Sequence, residues 1–383
     1  MNTDTESHAR PKPAARRVAY VTPFRMPTNR YMELQKALVH DSGFEARPFS
    51  VKHLFFEGGL WGLLKRRNIV LCQWLETRPF TPCTTTSALR LSPIGLGLYV
   101  VFLALLALTP ATVVYVVHDH AVNDAQGMLH ALSQCFLFAA RRVADRRIVH
   151  DPGFQQKYQA SYLPHPLFWD RPEPLNAPPL KMPSREGRSR APGAPLRCAM
   201  LGAIRPYKSI DQVLRAWPAD MPLLVAGRCT AELLLTLQAI VEQRGQQRTV
   251  TLYPKHLSDA EFAQQIDAID VFILPHASNT ALVSGAFFEA IGRVPVIVAR
   301  RSPFIDWAAS QFHGVCAFDS AAQLPALLQR VASDSSHADG AAQARTAFAA
   351  RAAFGHDACR LAWGEFVRSI DRGSSGQAKQ YRA

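Results

Sequence analysis

Apolar and polar positions alternate along this chain with two different periods, and each change of period marks an element. Short runs, β-branched at Thr112–Val117, predict strands at Val18–Val21, Ala46–Ser50, Asn68–Cys72, Thr112–Val117 and Arg147–His150. Helically spaced apolar residues between them predict helices over Tyr31–Val39, Leu54–Leu64, Ile94–Leu108 and Ala125–Val143. From Asp170 to Pro195 the composition shifts to proline, arginine, glycine and serine, as in a linker or surface insertion. A second series then predicts strands at Leu196–Leu201, Leu223–Ala226, Thr249–Tyr253, Val271–Leu274, Val294–Val298 and Val315–Phe318. Its helices include Ala231–Gln243, Asp259–Ile266 and Gly285–Ile291, and Ala341–Ile370 holds one or two more.

Strands alternating with helices imply an α/β protein with parallel sheets covered on both faces. The expected organisation is a disordered basic tail over 1–16 and a doubly wound Rossmann-like domain over 17–169. A linker over 170–195, a second such domain over 196–355, a helix over 356–372 and a disordered tail over 373–383 complete it. Ligands in such folds sit at the carboxyl ends of strands. In the first domain that rule selects Thr22–Arg30, Trp74–Glu76 and His118–His120.

A length of 383 residues fits two domains, and 48% hydrophobic residues suffice for two cores. The formal charge of +13 calls for an anionic partner: nucleic acid, an anionic membrane surface or a phosphorylated substrate. RNA-binding aromatics, zinc-finger spacing and a basic heptad region are all missing, so no nucleic-acid partner is expected. Seven cysteines, with no CxxC pair, suit a reducing cytosol and suggest neither disulfides nor a cysteine-held metal. Met1–Arg17 has no apolar signal-peptide core. Leu91–His118 is strongly apolar, but Pro93 and Pro110 leave about 16 residues between them, short of the roughly 20 a bilayer needs. A buried or membrane-touching helix followed by a buried strand is expected there.

The stretch Leu196–Trp217, LRCAMLGAIRPYKSIDQVLRAW, carries the first candidate chemistry. An apolar strand ends at Gly202, an Arg205-Pro206-Tyr207-Lys208 turn follows, and a helix opens with Ile210, Val213, Leu214 and Trp217 on one face. Ser209 is placed as its N-cap, and Pro218 stops it. Unpaired N–H groups, a positive helix end and two cations can hold an anion; an ordinary turn with two solvated cations is the plainer alternative. A second cradle follows Val271–Leu274, where Ser278, Asn279, Thr280, Ser284 and Gly285 precede an apolar helix. Glu289, one turn on, can accept hydrogen bonds from sugar or ribose hydroxyls, or be a solvated glutamate. Two such cradles in one domain suit a nucleotide diphosphate, and no Walker loop or GxGxxG fingerprint is present.

GAIRPYK before an amphipathic helix, with SGAFFEAIGRVPVIV about 70 residues later, resembles the C-terminal half of a GT-B glycosyltransferase. More closely, the chain is similar to bacterial exopolysaccharide glycosyltransferases of the xanthan β-mannosyltransferase type. Ile204–Lys208, Ser284-Gly285 and Trp74-Leu75-Glu76 stand at those proteins' IRPYKG, NSG and W-x-E elements. Ser209 replaces an expected glycine, Gln73 an expected histidine, and Ala281 stands where the first Glu of an E-x7-E pair is common in retaining relatives. The resemblance implies two facing Rossmann-like domains, a final helix crossing back to the first, and a metal-independent, inverting hexosyltransferase without a cofactor. The implied donor is a nucleotide-sugar, GDP-mannose favoured, and the implied acceptor a polyprenyl-diphosphate-linked oligosaccharide.

Donor-binding candidates are accordingly Gly202, Arg205, Lys208, Ser284, Gly285 and Glu289. His118, Asp119 and Glu76 are candidate catalytic residues; the first two are favoured because similar enzymes carry a His-Asn or His-Asp pair after this strand. Trp74 is either a core aromatic or an acceptor-sugar platform. A lipid-linked acceptor implies peripheral association with the cytoplasmic face of the membrane, through Lys65–Arg67, Arg141–Arg147 and the apolar helix. A retaining GT-B enzyme using a UDP-sugar and a non-catalytic GT-B scaffold are the alternatives.

Overall fold

The computed structural model describes residues 17–26, 29–82, 89–170, 194–276, 282–334, 336 and 339–374. The expected tail over 1–16, positions 375–383 of the tail expected over 373–383, most of the expected linker, and Ser278, Asn279 and Thr280 lie outside these residues, while 373 and 374 continue the last helix.

Two six-stranded parallel sheets organise the chain. The first contains β1 (Arg17–Thr22), β2 (Phe44–Pro48), β3 (Ile69–Gln73), β4 (Thr112–Val117), β5 (Arg146–Val149) and β6 (Ser161–Tyr162), in the order β2-β1-β3-β4-β5-β6. The second contains β7 (Cys198–Leu201), β8 (Leu223–Ala226), β9 (Val250–Tyr253), β10 (Val271–Leu274), β11 (Val296–Arg300) and β12 (Val315–Phe318), in the order β9-β8-β7-β10-β11-β12. Strands such as β3 are buried along their whole length, which is why they read as continuous apolar runs. Strand order reverses between β1 and β3 in one sheet and between β7 and β10 in the other, opening a crevice at each set of carboxyl ends. Register pairs Gln73 with Val116, so Trp74 and His118 leave the sheet at the same edge.

Several elements depart from the sequence reading, each for a local reason. The helix expected over Leu54–Leu64 is a π-helical turn, Lys52–Phe56, and a short helix, Leu60–Leu63. Gly58 separates them at φ +73°, a left-handed conformation no helix interior contains. The helices Pro303–Gln311 and Leu324–Ser333, not among those named from the sequence, each carry a proline in the first turn, where its missing N–H has no partner to lose. The Phe80–Pro82 and Leu89–Leu91 hairpin was also missed, being only three residues deep.

The apolar stretch forms Pro93–Leu108, capped by Ser92, whose side chain accepts from the Gly95 N–H at 3.1 Å. Among the described residues, no helix is long and apolar enough to cross a membrane. The C-terminal region forms two helices, Gly340–Phe354 and His356–Ser374. The second packs against the Tyr31–Asp41 helix of the first half. Arg17 pairs with Asp371 at 2.8 Å and His356 with Asp41 at 2.9 Å. Trp363, Phe366 and Ile370 share one core with Leu34 and Leu38 of the first half and Phe288 of the second. That shared core ties the two sheets together and places their crevices on one cleft.

Candidate active site at the interdomain cleft

The donor-side turn is built on two stacked glycines. Gly202 follows β7 at φ +100° and Gly227 follows β8 at φ +152°. A Cβ on Gly227 would lie 2.0 Å from the Gly202 carbonyl oxygen, so the turns can approach only without side chains. Arg205 follows in an extended conformation and Pro206–Lys208 close a 3₁₀ turn. Ser209 does not cap the helix as expected. It sits at φ +52°, ψ +35°, and its side chain accepts no cap hydrogen bond. That left-handed geometry is the physical reason a glycine is the natural residue here. The helix Ile210–Ala216 then buries Ile210, Val213 and Leu214, and Trp217, extended before Pro218, anchors its indole N–H on the Met221 carbonyl at 2.8 Å.

The Lys208 amine lies over Gly202, 3.5 Å from where a Cβ would stand. Burial, and then the charge of Arg205, push its pKa down to about 8. Two cations crowded in a partly desolvated turn form a site that gains from an anion. His276, just past β10, lies near enough for Lys208 to help hold its imidazole neutral, with a pKa pushed down to about 3 chiefly by burial.

Gly202, Arg205, Gly285 and Glu289 line one cavity of about 310 Å³, with Asn29 and Arg30 arriving from the first half. Ser284 precedes that helix, Gly285–Ala290, without capping it through its side chain. Glu289 faces Arg30 at 3.5 Å, and Arg30 also reaches Asp259 at 3.4 Å and donates to the Phe168 carbonyl at 2.8 Å. Arg30 is a contribution the sequence marked only as the last residue of a strand-end loop.

Across the cleft, Trp74, His118 and Asp119 form one unit. The Trp74 and His118 rings stack with centroids 4.1 Å apart and planes at 16°. The Trp74 indole N–H donates to Asp119 Oδ2 at 3.2 Å. One indole face is therefore covered by His118, and the ring's N–H edge holds the neighbouring carboxylate. Burial, then the charge of Glu76, push the Asp119 pKa up to about 7, and hydrogen bonds from Trp74 and Asn123 oppose the shift. Burial and the neighbouring His150 and His165 hold His118 well below the usual imidazole range.

Glu76 lies deeper. It is 2% exposed and accepts a hydrogen bond from the Tyr115 hydroxyl, within a core shared with the apolar helix. Burial raises its pKa. Its carboxylate thus belongs to the packing beneath the cleft, whereas the sequence placed it at the strand end as a third candidate base. Two backbone N–H groups bond across the halves at this level: that of Leu282 donates to the His118 carbonyl at 3.0 Å and that of Tyr207 to the Asp124 side-chain Oδ1 at 3.4 Å. Neither Asp124 nor His276 carried a motif that sequence could single out; both reach the cleft from strand-end loops of opposite halves.

No protein-family model matches the chain, and no curated protein matches it by sequence. Solved structures do match in fold. HepE of Anabaena, in complex with UDP-glucose, aligns with a TM-score of 0.61 at 11% identity, covering 93% of this chain and all of that one. The α,α-trehalose 6-phosphate synthase of Burkholderia multivorans gives 0.55 at 9% identity, covering 89% and 81%. TarM of S. aureus, in a complex containing UDP, gives 0.54 at 10% identity, covering 80% and 57%. These neighbours are GT-B glycosyltransferases, and the chain has their two-domain fold.

Proposed function

We propose that the protein transfers a hexose from a nucleotide-sugar to a hydroxyl acceptor. One observation carries the reading: two neighbouring cations, Arg205 and Lys208, sit on a turn whose Tyr207 N–H reaches Asp124 of the other half, the half that carries Asp119 with its pKa pushed up to about 7. The acceptor oxygen attacks the anomeric carbon as the bond from that carbon to the diphosphate breaks, and Asp119 takes the acceptor's proton. Arg205 and Lys208 stabilise the charge left on the diphosphate, a role for preorganised cations in a dry site. Gly202 and Gly285 let the phosphates approach backbone, and Glu289, released from Arg30, accepts ribose hydroxyls. This assignment gives direct displacement with inversion.

The resemblance to xanthan-type mannosyltransferases favours GDP-mannose and a polyprenyl-diphosphate-linked oligosaccharide. A retaining transfer from a UDP-sugar is a second reading, favoured by the UDP-glucose and UDP bound in the structural neighbours. Thermal unfolding with GDP-mannose, UDP-glucose, UDP-glucuronate, GDP and UDP tests both. A true donor at about 100 times its Kd adds about 2.7 kcal/mol, a rise of several degrees. A rise with one nucleotide base only selects the donor, and the product's anomeric configuration then decides the stereochemistry. No rise with any of the five removes the reading.

A peripheral membrane position belongs to the same proposal. Phe56 is 81% exposed and Trp61 72%, on the segment that precedes Lys65-Arg66-Arg67. Leu108, 82% exposed, ends the neighbouring apolar helix, where the Thr109 hydroxyl donates to the Leu63 carbonyl at 2.6 Å. Exposed aromatics beside a cationic run suit an anionic lipid surface. The protein is expected to sediment with phosphatidylglycerol vesicles at low salt, and Phe56→Ser with Trp61→Ser to abolish this; equal recovery of both proteins in the supernatant refutes it.

A further inference from the structure

Beneath the cleft, five side chains join end to end, and one end fixes the direction of every hydrogen bond in the series. The Leu163 carbonyl can only accept, so its 2.7 Å contact makes His150 Nδ1 the protonated nitrogen. Burial pushes the His150 pKa down to about 4, leaving the ring neutral and Nε2 bare. The Tyr31 hydroxyl, 2.8 Å away, therefore donates to that Nε2. With its single proton so placed, the Tyr31 oxygen accepts from Gln35 Nε2 at 3.0 Å. Gln35 turns its amide oxygen to Gln73, whose Nε2 donates to it and also contacts Met32 Sδ at 3.0 Å. What remains of Gln73 is its amide oxygen, 2.8 Å from His118 Nε2. An amide oxygen only accepts, so His118 carries its proton on Nε2.

Reversing either amide would set donor against donor or acceptor against acceptor, so the series has one self-consistent direction. Tyr31, Gln35, Gln73 and His150 are each no more than 2% exposed, where a mismatched pair goes uncompensated by water. Among the described residues, no group of three His, Cys, Asp or Glu could hold a metal, so the nearby His118, His150 and His165 rings are not a metal cluster. His118 is braced by the Trp74 stack on one face and the edge of Tyr31. Its Nδ1 bonds no described residue and is not among the fully enclosed unpartnered atoms.

We propose that the series from the Leu163 carbonyl through His150, Tyr31, Gln35 and Gln73 is a positioning relay. It locks His118 in the Nε2–H tautomer and presents Nδ1 to the cleft as the acceptor for a sugar hydroxyl. The identity of that hydroxyl rests on the glycosyltransferase reading; the tautomer does not. Asp119 remains the proton acceptor, and His118 orients the sugar beside it. The departure at Gln73, where similar proteins carry histidine, thereby gains a role: an amide oxygen imposes on His118 a direction that a second imidazole leaves open.

The test uses the full chain labelled with ¹⁵N-histidine. The nitrogen shifts of His118, assigned by their absence in His118→Ala, are expected to show Nε2–H in the unmodified protein. Gln73→Met removes the acceptor at similar volume, and Tyr31→Phe cuts the series two links away. Both are expected to give mixed tautomers and about a tenfold loss in kcat. His118→Gln, whose amide can donate to Gln73 and still offer an oxygen, is expected to recover most of the activity lost in His118→Ala. A raised KM for the donor or for the acceptor tells which sugar the Nδ1 contacts. An Nδ1–H tautomer in the unmodified protein, or unchanged tautomers in both variants, overturns the relay. A protein that shows Nε2–H yet transfers no sugar keeps the relay and overturns the sugar hydroxyl.

Discussion

Asp119→Asn is expected to lower kcat by about 10²–10⁴-fold, the range that loss of a general base produces, with donor binding nearly unchanged. The carboxylate is the active form. Because burial and Glu76 push its pKa up to about 7, the rate of the unmodified enzyme should rise with pH through about 7 and level above it. Lys208 gives the opposite limb, since its pKa of about 8 removes the diphosphate-binding charge as pH climbs past that value. A bell-shaped profile follows, whose acid limb disappears in Asp119→Asn. Stability separates this from misfolding. A carboxyl whose folded pKa is raised from 3.8 to about 7 costs stability once it ionises, and that cost is fully present above about 7. Asparagine at 119 removes it, so the variant should unfold at no lower temperature than the parent at pH 8. A variant with an intact acid limb and parental kcat would place the base elsewhere.

The second large effect belongs to the turn after β7. Lys208→Ala and Arg205→Ala are each expected to reduce kcat/KM by about 10²–10³-fold, the scale of losing one preorganised stabiliser of a developing charge. The Lys208 amine sits over Gly202, and Gly202 and Arg205 line the donor cavity. In Lys208→Ala the alkaline limb near 8 should vanish, and nucleotide affinity should lose its decline above that pH. Measured by single-turnover transfer and by calorimetry with the nucleoside diphosphate, near-parental values in both variants would dismiss the turn as the diphosphate site.

Periodicity carried most of the framework, because fully buried parallel strands must be apolar along their length. Thr112–Val117, Leu223–Ala226, Val271–Leu274 and Val315–Phe318 fall where the short apolar runs placed them. The helices Pro303–Gln311 and Leu324–Ser333 each begin on a turn that contains proline, a residue that ends helices or begins them depending on which N–H groups are already unpaired. Ser209 misled in a subtler way. Its position before a helix is that of a cap, yet it closes the Pro206–Lys208 turn in a left-handed conformation in which its side chain makes no cap hydrogen bond.

The sequence by itself determined the two α/β series, the IRPYK turn after an apolar strand, and the His-Asp pair at the end of another. These are local matters, written in the spacing of a few neighbouring residues. Tertiary structure alone decided the rest. It brought Arg30 to Glu289, set Asp124 against Tyr207, buried Glu76 on Tyr115, and raised Asp119 toward neutrality through a desolvation no sequence displays. It also gave His118 its direction. That direction comes from a carbonyl 45 residues further along the chain, at Leu163, passed on through Tyr31, Gln35 and Gln73, which only the sheet order β1-β3-β4-β5 makes neighbours. Hydrogen-bond direction propagates through space, and spacing along the sequence cannot record it.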